Sequence, residues 1–238
     1  MSSPLLRPRW LVGHVLVTGL TVVFVFLGFW QLDRHFDQQE DNASLEERLT
    51  GAPVELGAWG GSVEELEFRQ VQVSGRYDYD DQLELRPRAR NGQVGYQQVV
   101  PLDTNLGIVL VNRGFIADAT GSARQTPQAS GPIEVVGTVR LSQGRSSLGP
   151  QNPEEGELEV IARLDLDRLN PQFGNALFPA YLELIAERPD PGGLPTVLLP
   201  EPSPTSRPHI LYAIQWWAFA AVSTVGWLLY LRKQFFTP

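Results

Sequence analysis

Two apolar stretches, residues 10–30 and 209–231, stand near opposite ends of this chain and contain no Asp, Glu, Lys or Arg. A bilayer core about 30 Å thick is crossed by roughly 20 helical residues. Lipid offers the backbone no hydrogen-bond partners, so a lone segment crosses it as a helix, which satisfies its own amides and carbonyls. Each stretch therefore reads as a membrane helix, and the polar residues between them as a domain held at both ends.

Orientation follows from the basic residues. Arg7 and Arg9 precede the first stretch, Arg232 and Lys233 follow the second, and all 27 acidic residues lie from Asp33 to Glu201. The positive-inside rule places both termini in the cytoplasm. The expected organisation is a cytoplasmic tail (1–9), a first span (10–30), an extracytoplasmic domain (31–208), a second span (209–231) and a second tail (232–238), in a plasma membrane. The first stretch exceeds the roughly 7–15 residues of a signal-peptide core, and bulky Phe29, Trp30 and Leu32 stand where a peptidase needs small residues, so it is expected to be retained.

Composition removes several functions. With no cysteine there are no disulfides, thiol nucleophiles or cysteine metal sites. A net charge of −8 and a single lysine argue against nucleic acid, whose phosphates require a basic face. No Gly-x-Ser-x-Gly elbow, phosphate loop or paired-histidine metal helix occurs, so an enzyme is not expected.

Between the spans, Asp33 to Leu49 is charged and helix-compatible, and a break follows at Thr50-Gly51-Ala52-Pro53. Period-two alternation then begins. Phe68, Val71, Val73, Tyr77 and Tyr79 form a first strand whose phase slips near Gly75, which suggests a bulge or a bend there. Leu83 and Leu85 continue the pattern, and Asn91-Gly92 is a hairpin signal. Val94–Leu102 gives another strand, Ile108–Val111 a strand covered on both faces, and Ile133–Leu141 one more. Leu158, Val160 and Ala162 fit a strand, Asp165–Leu169 a short helix, and Tyr181–Ile185 the last strand. Ala119–Pro132, Gln143–Gly156 and the proline-rich Pro189–Pro208 read as connections. The fold class expected is a membrane protein with two transmembrane α-helices flanking a mainly antiparallel-β (α+β) extracytoplasmic domain, a curved sheet or small open barrel.

Three segments carry a family likeness: Leu27-Gly28-Phe29-Trp30-Gln31-Leu32-Asp33-Arg34, Val73-Ser74-Gly75-Arg76-Tyr77, and Val109-Leu110-Val111-Asn112-Arg113-Gly114-Phe115. With His209-Ile210-Leu211-Tyr212-Ala213-Ile214-Gln215-Trp216 opening the second apolar stretch, the chain resembles the Surf1 family of cytochrome c oxidase assembly factors over nearly its whole length. The resemblance implies a non-enzymatic role: helping haem a into subunit I of an aa3-type oxidase, or stabilising an early assembly intermediate. It implies oxidase subunit I or haem a synthase as partners beside the lipid bilayer, and haem a as a transient cofactor. It also marks Gly28, Trp30, Gln31, Gly75, Asn112, Arg113, Gly114 and Tyr212 as positions important to the fold or to a partner.

The cofactor-binding candidates are His209, His35, Trp216 and Arg34. The topology puts His35 and His209 at the outward ends of the two spans, and imidazole is a common axial ligand of haem iron; the family resemblance, whose segment opens on His209 and stops at Arg34, implies His209 as the candidate metal ligand. Interfacial snorkelling is the plainer account of both rings. Trp216 lies two turns below His209 and suits stacking on a porphyrin or on a partner helix. Arg34 suits a haem propionate, and equally a lipid phosphate or Asp37. Ala213, Ala220 and Thr224 form a small-residue stripe for close helix packing, within the chain or on an oxidase subunit. For Arg113, at the end of a buried-looking strand, a structural ion pair or a carbonyl cap is the plain reading. A rival function, an extracytoplasmic ligand-binding sensor or receptor, would need an output domain larger than the short basic flanks.

Overall fold

A computed structural model describes residues 7–120, 127–144, 149–192 and 208–236. It contains helices α1 (Pro8–Thr50), α2 (Leu166–Leu169) and α3 (His209–Phe236). Its strands are β1 (Val54–Glu55), β2 (Gln70–Tyr77), β3 (Leu83–Arg90), β4 (Gln93–Thr104), β5 (Gly107–Ala117), β6 (Ile133–Leu141), β7 (Val160–Ile161) and β8 (Leu177–Arg188). The chain divides into two compact units, residues 1–44 with 203–238, and residues 45–202.

The first unit is a helix pair. The segment Asp33–Leu49 continues the first apolar helix without interruption, so α1 is far longer than a bilayer requires. Its inward face recurs at three- and four-residue spacing through Val17, Thr21, Phe24 and Gly28. Against it α3 turns Ala213 and Ala220, 0% and 6% exposed. The small-residue stripe thus packs on the chain's own helix. Gly13 and Gly28 complete the fit, because a Cβ on either would run into the ring of Trp227 or Trp217 respectively. Outward, Val15, Phe26 and Val222 are about 70% exposed, an inside-out arrangement that water penalises and lipid accepts. Both helices are long and apolar enough to cross a membrane.

The second unit is built on one eight-stranded mixed sheet in the order β1-β2-β6-β8-β5-β4-β3-β7. Antiparallel pairs dominate, as expected, but β1–β2, β5–β8 and β3–β7 are parallel. The sheet curls until β2 meets β4 through Arg76↔Asp103 and Tyr77↔Leu102, closing β2, β6, β8, β5 and β4 into a small barrel. Its interior is filled by Val71, Val73, Val100, Leu102, Val109, Val111, Val135, Val139, Leu182 and Leu184. A second apolar cluster lies outside the barrel, where Leu158, Ile161, Leu164, Leu166 and Leu169 cover Leu83, Leu85, Val99, Leu110 and Tyr181. The strand Ile108–Val111 is therefore covered on both faces, with Val109 and Val111 in one cluster and Leu110 in the other.

Local chemistry agrees with most of the sequence reading. Asn91 and Gly92 both have positive φ (50° and 76°), the geometry of a two-residue turn joining β3 to β4. Asp165 caps α2 by accepting the Arg168 amide at 3.2 Å. Two expectations are corrected. β2 pairs with β6 without a register shift through Gly75, so of the two alternatives the bulge is absent; from Arg76 the strand pairs with β4 instead. Val71, Val73, Gly75 and Tyr77 stay in phase, and the apparent slip came from Phe68, which precedes the strand at φ 67°. The expected strand through Leu158, Val160 and Ala162 shrinks to Val160–Ile161, with Ile161 facing inward and Val160 exposed. Parts of the expected connections, residues 121–126, 145–148 and 193–207, lie outside the described residues.

Candidate functional site

At the end of the helix pair, His209 opens α3 beside Gln31 of α1, with Nδ1 of the ring 2.8 Å from Gln31 Oε1. Next to it lies an open groove of about 400 Å³ lined by Trp30, Arg34, Asp37, Gln38, Asp41, Asn42 and His209. The spacing of 30, 34, 37, 38 and 41 is one helical face. Arg34 is 3.7 Å from Asp37, with both side chains mostly exposed, a pairing worth little in water. The imidazole Nε2 of His209 has no hydrogen-bond partner among the described residues.

The four cofactor candidates separate in space. His209 and Arg34 share the groove. His35 accepts from Gln39 Nε2 at 3.2 Å and does not line it. Trp216 stacks on Phe24 of α1, ring centroids 5.7 Å apart, so its face is occupied within the chain's own helix pair. Of the positions marked by the family likeness, Trp30 walls the groove, Gln31 supports His209, Gly28 admits Trp217, and Tyr212 is half exposed on α3. His14 accepts from Trp227 Nε1 at 3.0 Å and serves helix packing.

The barrel contains a second polar constellation. Val99 pairs with Asn112 and Gln98 with Gly114, which leaves Arg113 as an extra residue in β5, a β-bulge. Gly114 sits at φ 131°, a conformation open to glycine, and its amide donates to Asn112 Oδ1 at 3.2 Å. The Asn-Arg-Gly motif is the bulge. Arg113, 1% exposed, enters the barrel in phase with Val109 and Val111, and there Nη2 donates to Glu187 Oε1 at 2.6 Å and Nη1 to Gln98 Oε1 at 3.1 Å. Tyr77 donates to the other Glu187 oxygen at 3.0 Å. The guanidinium carbon lies 5.4 and 5.5 Å from the ring centroids of Tyr77 and Tyr79.

Electrostatics fit a structural lock. Burial opposes the Arg113 charge, but the Glu187 bond and charge outweigh it, and the guanidinium stays firmly protonated. Burial, then Glu187, pushes the Tyr77 phenol well above its ordinary range. Tyr77 is thus a proton donor throughout the physiological range. Every charged member is paired, as a buried charge requires.

Sequence reasoning missed Glu187, Tyr77 and Gln98 as partners of Arg113, and Gln31 as the partner of His209. Alternation along β8 puts Ala180, Leu182 and Leu184 inside and predicts Ala186 next. A second bulge, at Ile185 between Val136↔Ala186 and Gly137↔Leu184, sends Glu187 inward instead. Gly75 was marked by likeness alone, and the structure gives its reason: a Cβ there would strike the Asp103 carbonyl and Leu102 where the barrel closes.

Comparison with known proteins agrees with these local features. The model of the SURF1 family matches residues 18–221, from inside α1 to inside α3. A SURF1-like protein of Monosiga brevicollis is 28% identical, with 90% of this chain and 86% of that protein covered. Surfeit locus protein 1 of Homo sapiens is 30% identical over 84% of this chain and 71% of its own length. A SURF1-like protein of the bacterium Rickettsia bellii is 29% identical, covering 89% and 88%. With part of each long helix and the whole sheet unit inside the matched region, the chain belongs to the SURF1 family.

Proposed function

We infer that this protein is a membrane-anchored, non-enzymatic assembly factor for a haem–copper cytochrome oxidase. Family membership over residues 18–221 carries this reading, because SURF1 proteins are known as cytochrome oxidase assembly factors. The two helices, apolar on their outer faces, anchor it in the plasma membrane. The basic residues at both ends support cytoplasmic termini and an extracytoplasmic sheet unit. The partner under this reading is oxidase subunit I, haem a synthase or both.

Within that reading, the groove beside His209 is where haem a is held in transit. Haem a would supply an iron able to take an imidazole nitrogen as ligand. Three of the groove's residues would hold it: His209 through Nε2, Trp30 as a flat apolar wall, and Arg34 as a cation for a propionate, its exposed contact with Asp37 being weak. Trp216, stacked on Phe24, contributes to the rigidity of the helix pair rather than to a porphyrin face.

The test is a deletion strain. Loss of the gene is expected to diminish the absorbance of assembled a-type haem while oxidase subunit transcripts stay unchanged. A normal oxidase spectrum in that strain would overturn the assembly role.

A further inference from the structure

The Gln31–His209 contact has a chemical direction. A carboxamide oxygen carries lone pairs and no hydrogen, so at 2.8 Å the proton between Oε1 and Nδ1 belongs to the imidazole. Donation from Nδ1 leaves the neutral ring with its lone pair on Nε2. The two residues come from different helices, 178 positions apart, so the contact joins the helices and orients the ring at once. Gln31 itself does not line the groove.

We propose that Gln31 is a positioning residue that holds His209 as the Nδ1–H tautomer and presents Nε2 as a Lewis base to an iron porphyrin in the groove. This rests on the reading of His209 as an axial ligand. A neutral amide is the informative choice of partner. A carboxylate at the same place would draw the Nδ1 proton toward itself and make Nε2 a stronger ligand. An amide fixes geometry while leaving the ring an ordinary imidazole, a ligand that binds and also lets go. A carrier that must surrender its cargo needs that balance.

Three variants of the full chain in lipid nanodiscs, Gln31→Leu, Gln31→Glu and His209→Ala, test it. Nitrogen-15 NMR of the histidines reads the tautomer without any porphyrin, and titration with ferric haem reads ligand strength. The wild type is expected to show His209 as the Nδ1–H form, and Gln31→Leu a mixture of both tautomers. Ferric haem affinity is expected to fall about 10-fold or more in Gln31→Leu, as for other lost supports of a metal-bound histidine. In Gln31→Glu it should rise, with slower release. A disulfide between Thr21→Cys and Thr224→Cys, whose hydroxyls lie 3.1 Å apart, checks in each variant that the helix pair is intact. An Nε2–H form in the wild type, or an unchanged tautomer in Gln31→Leu, would overturn the positioning role. Equal haem affinity in wild type and His209→Ala, with the tautomer still responding to Gln31, would overturn the axial-ligand reading and leave the positioning role standing.

Discussion

The helix pair and the barrel solve opposite problems with the same twenty side chains. In the pair, the apolar residues face out, the interface is made of glycine, alanine and aromatic rings, and the polar contacts across it are neutral and few: Thr21 with Thr224, His14 with Trp227, Gln31 with His209. In the barrel the apolar residues face in, and they surround a full ion pair, Arg113 with Glu187. Lipid gives helices no hydrophobic reason to associate, so shape does the work and small residues set the distance. Water gives the barrel a strong reason to collapse, and the collapsed interior can then hold one charged pair, provided that both partners stay.

The sharpest break of this contrast is to remove one partner. Glu187→Ala strands the Arg113 charge and the Tyr77 hydroxyl inside the barrel, and a loss of about 3–5 kcal/mol is expected. Thermal unfolding of the detergent-solubilised chain, followed by near-ultraviolet circular dichroism, should show it as a large fall in Tm. Arg34→Ala removes a partner from an exposed pair at 3.7 Å and should move the same Tm by no more than about 0.5 kcal/mol equivalent. Equal effects from the two variants would mean that burial does not distinguish the pairs.

The next largest effect is expected at the closure. Gly75→Ala places a methyl against the Asp103 carbonyl and Leu102, and overpacking of this kind costs about 1–3 kcal/mol. The same thermal measurement reads it. An unchanged Tm would show that β2 and β4 separate freely.

These two sites also show what the sequence could convey. The spans, the Asn91-Gly92 turn, the strand covered on both faces and the short helix α2 are written in residues that act within a few positions of themselves, and they were readable. Arg113 follows Val109 and Val111 on the inward face of β5, but Glu187 meets it only because a bulge at Ile185 shifts the inward phase of β8. A bulge adds a residue without adding a signature, so alternation from Leu182 and Leu184 does not lead to Glu187. The parallel β5–β8 pairing joins strands separated by β6 and β7 in the sequence, and no local pattern announces it. In the helix pair, the candidate residues at the membrane edge were legible as a level, His35 with His209. Which of them face the groove depends on the rotation of α1 against α3, and that is set by Gly28 and Trp217 rather than by the histidines.

That dependence gives a third prediction. Gly28→Leu drives a side chain into the space of Trp217 and is expected to part the helices, whereas the barrel should be indifferent. With no native cysteine in the chain, the Thr21→Cys/Thr224→Cys pair reports only that interface. The cross-link should form readily in an otherwise native background and be largely lost with Gly28→Leu, while the near-ultraviolet melt keeps its midpoint. Persistent cross-linking would show that small residues do not set the helix distance.

The smallest expected effect concerns an ion pair on the barrel's outer surface, between the two extremes. Glu183 is partly buried beside Arg140, at 3.3 Å. Burial lifts its carboxyl above the ordinary value of 4.5, and Arg140 offsets only part of that. Folded Glu183 therefore keeps its proton to higher pH than it does in the unfolded chain. Over that interval folding binds a proton, so stability falls as pH rises through it. Glu183→Gln keeps an acceptor for Arg140 and cannot ionise. Relative to this variant, the native chain should lose Tm as pH climbs from just below 4.5, and the difference should level off once the folded carboxyl has ionised. Parallel Tm curves would mean that Arg140 compensates the burial in full, and the half-buried pair would then behave like the exposed Arg34–Asp37 contact rather than like Arg113–Glu187.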